Sequence, residues 1–127
     1  MSVLATGNDW RVRLEVPADT RHLHIVRLTA AGAAAEAGLN ADEVEDVKIA
    51  VDELCSIIIA GSDGGDQIGL TFEARDRSLV VEANAPAAGA LEVDELARAI
   101  LDATVDELVL GAEAAGGFRL TKHGRDD

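Results

Sequence analysis

The sequence predicts an α+β fold, a two-layer α/β sandwich in which a mainly antiparallel sheet carries helices on one face. Two helical stretches follow one another with no strand between them, which a regular alternating βαβ repeat does not allow. Most of the remaining period-two runs come as hairpin pairs. The chain has 127 residues, 48 % of them hydrophobic, enough for one domain with one continuous core. The domain is expected over 10–122, with a flexible lead at 1–9 and a tail at 123–127.

Trp10, Val12, Leu14 and Val16 alternate with Arg11, Arg13 and Glu15, the signature of a strand with one buried face, and Pro17 closes it. Asp19 or Thr20 then caps a first helix of roughly 20–37. It carries Leu23, Val26, Ala30, Ala33, Ala34 and Ala37 on one side and stops at Gly38-Leu39. Asn40 and Glu43 form a capping box for a second helix to about residue 60, with Val44, Val47, Ala50, Val51, Leu54 and Ile58 at helical spacing. Gly61 to Asp66 break it.

Ile68, Leu70 and Phe72 alternate with polar neighbours, and Arg75-Asp76-Arg77 turns the chain into Leu79, Val81 and Ala83, giving a hairpin. A third helix, starting near Leu91, is marked by Val93, Leu96, Ala97, Ile100, Thr104 and Leu108. Val109-Leu110 and Phe118-Arg119-Leu120 make a last hairpin across Gly116-Gly117. Residues from Lys122 onward are expected to fray.

Eleven basic residues against 24 acidic ones leave a formal net charge of -13. Binding through a phosphate backbone draws on Lys and Arg, so nucleic acid and anionic membranes are excluded as expected partners, and a basic protein partner is favoured. The N-terminus lacks a basic region followed by an apolar run, and no stretch reaches the roughly 20 apolar residues of a membrane span. A cytoplasmic protein is expected. The single cysteine, Cys55, excludes an internal disulfide and reads as a buried helix residue.

Several words in the chain, in order, carry a resemblance: Glu15-Val16-Pro17-Ala18 ending the first strand, His24-Ile25-Val26-Arg27 in the first helix, Asp46 to Leu54 in the second, and Val105-Asp106-Glu107 through Leu120-Thr121-Lys122 at the close. Over about residues 10–122 the chain resembles the bacterial anti-sigma serine-kinase branch of the Bergerat-type ATPases, the domain shared with histidine kinases and gyrase. The resemblance implies the histidine kinase-like ATPase fold, ATP and magnesium as cofactors where the pocket survives, and a sigma factor or an anti-sigma antagonist as partner. It also implies a possible homodimer.

In that family the second helix carries a Glu-x-x-x-Asn box, the Glu preparing the attacking hydroxyl and the Asn holding magnesium. Glu53 matches the Glu, whereas Ile57 replaces the Asn and offers no oxygen to a cation that demands oxygen ligands. An Asp-x-Gly word after the hairpin reads adenine in the family; here Asn84 is the nearest match. The family's glycine-rich lid has no counterpart before the third helix. These departures imply a degenerate site with no cofactor expected, a pseudokinase acting through protein contacts. The alternative is an active serine-protein kinase with Glu53 as base.

Glu53 shares a ridge with Ile49 and Ile57, either as a partly buried relic of the base or as a boundary residue facing water. Arg27 matches an arginine of the family's partner-contacting surface, or is an ordinary helix surface charge. His22, His24 and His123 form no metal cluster, and Trp10 reads as a core or edge plug. Asp42, Glu43, Glu45, Asp46 and Asp52 lack the loop spacing of a calcium site and read as the solvated face of the second helix.

Overall fold

A computed structural model of the chain describes residues 2–6, 9–62, 65–85, 91–111 and 116–125. Strand β1 spans Ser2–Thr6 and β2 Asp9–Pro17; a 3-10 turn at Thr20–His22 leads into helix α1, Leu23–Glu36, followed by α2, Ala41–Ala60. Strands β3, Gln67–Arg75, and β4, Ser78–Asn84, precede helix α3, Glu95–Thr104, and strands β5, Glu107–Gly111, and β6, Gly117–His123. All neighbouring strands are antiparallel, in the order β1-β2-β3-β4-β6-β5. The α+β two-layer reading is borne out.

The capping chemistry sets the helix ends. Asp19 accepts the Arg21 backbone N–H at 2.9 Å. At the other end of α1, Gly38 takes φ +90, Leu39 N–H reaches the Ala34 carbonyl and Gly38 N–H the Ala35 carbonyl, a Schellman closure with Leu39 buried. Both halves of the α2 capping box form: Asn40 Oδ1 accepts the Glu43 N–H, and a Glu43 carboxylate oxygen accepts the Asn40 N–H, each at 2.8 Å.

The core lies between the layers, with Val26, Val47, Leu54, Ile58, Leu70, Phe72, Val81, Leu101, Phe118 and Leu120 almost wholly buried. Burying one such side chain contributes roughly 1.5–3 kcal/mol. Gly117 is fixed by close packing, because a Cβ there would stand 2.0 Å from the Ala83 carbonyl oxygen. Among the described residues no helix is long and apolar enough to cross a membrane.

Three boundaries differ from the sequence expectation. The flexible lead expected at 1–9 contains β1, which pairs with β2 from Ser2↔Arg13 to Thr6↔Asp9. Its five residues carry too short a pattern to announce a strand; the main-chain ladder of β2 makes it one. Helix α3 begins at Glu95 instead of Leu91, because Asp94 caps it by accepting the Ala97 N–H at 2.8 Å. Leu108 belongs to β5.

The third difference is at the C-terminal end, where Lys122 and His123 belong to β6 instead of fraying. Gly124 N–H donates to the Arg77 carbonyl at 2.8 Å, and Arg125 N–H to the Glu43 carboxylate at 3.0 Å. These bonds fasten the segment to the β3–β4 turn and to the start of α2. In that turn Asp76 and Arg77 both take positive φ, 47 and 62, the two-residue geometry that matches strand twist.

Candidate functional site

The second half of α2 carries the residues that the resemblance singles out. Asp52, Glu53 and Ile57 are all half-buried. Arg27 crosses from α1 to Asp52, Nε to Oδ1 at 2.7 Å, so the arginine engages the aspartate and leaves the neighbouring glutamate alone. Both partners are more than a third exposed, which limits such a pair to about 1 kcal/mol or less. Glu53 makes no hydrogen bond or ion pair among the described residues. It is a carboxylate on an apolar ridge, with Ile49 a turn before and Ile57 a turn after, able to accept a proton and committed to no cation.

Ile57 does not fill the interior. It is half-buried and lies outside the core cluster, whereas Ala85, just past β4, is buried in it. Residues 86–90 lie outside the described residues. Asn84, exposed at the end of β4, alternates with buried Ala83 and so faces away from the helices. Glu53 is on the helical layer, and the structure does not bring the two together.

Magnesium does not fit the donor set. Ile57 supplies no oxygen, and among the described residues no three His, Cys, Asp or Glu are grouped to hold a metal. Cys55 is buried beneath the same stretch. Burial first, and the Asp52 charge second, push its thiol up to about 12, so it is protonated and a poor nucleophile near neutrality.

The acidic run is not one solvated face. Glu43, 4 % exposed, is spent on the capping box and on Arg125. Asp46 pairs with Lys122, Nζ to Oδ2 at 3.0 Å, and the same ammonium donates to the Thr104 carbonyl at 2.9 Å, where α3 ends. Lys122 is 7 % exposed. One signal for it exists in the sequence: it occupies the inward position of β6, in step with Phe118 and Leu120.

His123 is also engaged. Its Nδ1 lies 2.8 Å from Ser78 Oγ, its Nε2 3.4 Å from the Glu107 carboxylate, and its backbone N–H donates to Asp106 Oδ2 at 2.7 Å. The serine, histidine and glutamate stand in a row across β4, β6 and β5 on the open face of the sheet, and they tie strand ends together. Trp10 is half-buried against the core, the plug that its position implies.

A helical layer on an antiparallel sheet, with an acidic residue displayed at mid-helix on α2, defines the class. Residues 16–118 match the histidine kinase-like ATPase domain, and the chain belongs to that family. Within it, the chain is similar to two proteins named serine-protein kinase RsbW. It is 39 % identical to that of Halalkalibacterium halodurans over 62 residues, 48 % of this chain and 38 % of the relative. It is 40 % identical to that of Bacillus velezensis over 53 residues, 42 % of this chain and 32 % of the relative. The matched stretch thus spans about a third of each relative's length, and the resemblance to the anti-sigma serine-kinase branch is borne out.

Proposed function

We propose that this chain is an anti-sigma-like regulator that controls transcription through protein contacts in the cytoplasm, and that its ATP site is degenerate. The observation that carries this reading is Ile57, which stands one turn beyond Glu53 where the family's magnesium ligand is expected. Asn84 supports it, since its side chain is turned to the open face, away from Glu53. The partner in this reading is a sigma factor or an anti-sigma antagonist. Arg27 belongs to the contacting surface, held in position by Asp52, and the working unit is a homodimer.

One observation favours a second reading, an ATP-dependent serine-protein kinase: Glu53 is half-buried and uncommitted, the condition of a base awaiting a hydroxyl. The relatives' name, serine-protein kinase, points the same way. Calorimetric titration with ATP, with and without magnesium, separates the two. The proposed regulator gives no heat up to about millimolar ATP while remaining folded, whereas magnesium-dependent binding at about micromolar levels overturns degeneracy. Where the wild type shows no magnesium dependence, Ile57→Asn is the informative variant, because a surviving pocket gains that dependence from the restored oxygen.

A further inference from the structure

Strands β1 and β5 are the outer strands of the sheet, and each has one side whose main-chain groups pair with no other described strand. Of the two, β5 is the better-defined template. At its start the Asp106 N–H donates to the Thr121 carbonyl at 3.0 Å, and Asp106 Oδ2 accepts the His123 N–H at 2.7 Å. At its end the Gly116 N–H donates to the Gly111 carbonyl at 3.1 Å. Between these ties the ladder with β6 runs from Glu107↔Thr121 to Gly111↔Gly117. A strand already held in register loses little further freedom when another strand joins it.

Natural sheet edges are commonly guarded by lysine, proline or a bulge. The sequence of β5, Glu107-Leu108-Val109-Leu110-Gly111, contains neither lysine nor proline. Leu108 and Leu110 pack against the core from the helical side, while Val109, paired with exposed Arg119, lies on the open face. All three are only half-buried, whereas the inward rows of β3 and β4 are fully buried, so an added strand completes cover that β5 lacks. The charge is one-sided. Residues 102–107 include Asp102, Asp106 and Glu107 and no cation, and residues 108–111 carry no charge. The Glu107 side chain faces His123 Nε2 at 3.4 Å and is still 68 % exposed.

We propose that the outer edge of β5 docks an extended segment of a protein partner, which joins the six-stranded sheet as a further strand. The segment carries aliphatic residues along Leu108 to Leu110 and a lysine or arginine beside Asp106 and Glu107. In strand addition the main chain supplies affinity and alternate side chains supply specificity. The five residues of β5 span about 17 Å, which suits one short segment better than the edge of another folded sheet. Opposite charges on neighbouring strands attract, and the net charge of -13 draws a basic segment from a distance. The site is separate from the one on α2 and goes beyond the regulatory reading above, since it holds whether or not ATP binds.

Amide NMR titration of the 127-residue chain with the peptide acetyl-Lys-Thr-Val-Thr-Val-Lys amide tests it, the spectrum also verifying that each variant is folded. Saturable shifts centred on Glu107–Gly111, with a Kd of about 1 mM, are expected. N-methylation of the four central peptide residues, which removes their N–H donors, weakens binding at least about tenfold. Glu107→Lys weakens the lysine peptide about fivefold and makes its counterpart with glutamate at both ends the tighter binder. Absence of shifts up to about 5 mM peptide overturns the site. Shifts centred on Ser2–Thr6 overturn the choice of edge. Equal binding of the N-methylated peptide overturns strand addition, and indifference to the charge exchange overturns the basic character of the segment. Shifts of β5 amides on dilution of the peptide-free protein assign the edge to a second copy and overturn the foreign segment.

Discussion

The two halves of α2 look alike in sequence, each a run of carboxylates among aliphatic residues, yet they are built for different tasks. In the first half every inward-leaning acid is consumed by the fold: Glu43 closes the capping box and holds Arg125, and Asp46 neutralises Lys122 beneath the end of α3. In the second half Asp52 takes Arg27 at the surface and Glu53 takes no partner among the described residues. The difference teaches that a carboxylate's role in such a helix follows from what the remote strands bring to it, and that the freest acid is the one left for chemistry or for contact.

The largest test of this contrast is Lys122→Met, which keeps the stem and deletes the charge. It strands a part-buried carboxylate and a helix-end carbonyl, and we expect a loss of about 3 kcal/mol in urea unfolding, with part recovered by adding Asp46→Leu. Indifference of the unfolding midpoint to Lys122→Met would break the comparison.

Glu43→Ala removes a cap and the Arg125 bond together, and should cost about 1–2 kcal/mol in the same assay. A pH-dependent effect, confined to alkaline solution, belongs to Cys55. Its thiol ionises at the ordinary value of 9.0 when unfolded and at about 12 when folded, so between those values the native state holds the proton more tightly. Stability is therefore unaffected by this group below pH 9 and falls above it, by about 1.4 kcal/mol per pH unit, a slope absent in Cys55→Ala. Glu53→Gln should change stability least, within about 0.5 kcal/mol, since no hydrogen bond or ion pair among the described residues uses that charge.

The sequence made the interior legible where side chains alternate or repeat strictly. The inward rows of β2, β3 and β4, the capping box of α2 and the Gly38 stop of α1 are all local patterns, and all are present. It was less informative wherever a partner distant in the chain decides the outcome. Strand β1 exists because β2 offers it a ladder, and the bond from Arg125 to Glu43 spans 82 positions. At the candidate site, Glu53 and Ile57 were readable from their place on one ridge. Which acid Arg27 chooses, and which face Asn84 takes, depend on how α1 meets α2 and on the pleat of β4.

The strand order has a consequence for the timing of synthesis. Strand β6 is the last of the six in the chain and stands between β4 and β5. When a growing chain has emerged only through residue 111, the first four strands can pair, but the outer edge of β4 is open and β5 has no neighbour. Until residues 117–123 appear, Val81 and Ala83 border an unprotected row of main-chain groups, the kind of edge that invites a foreign strand. A pause late in translation is therefore the moment at which this protein is most exposed to misassembly.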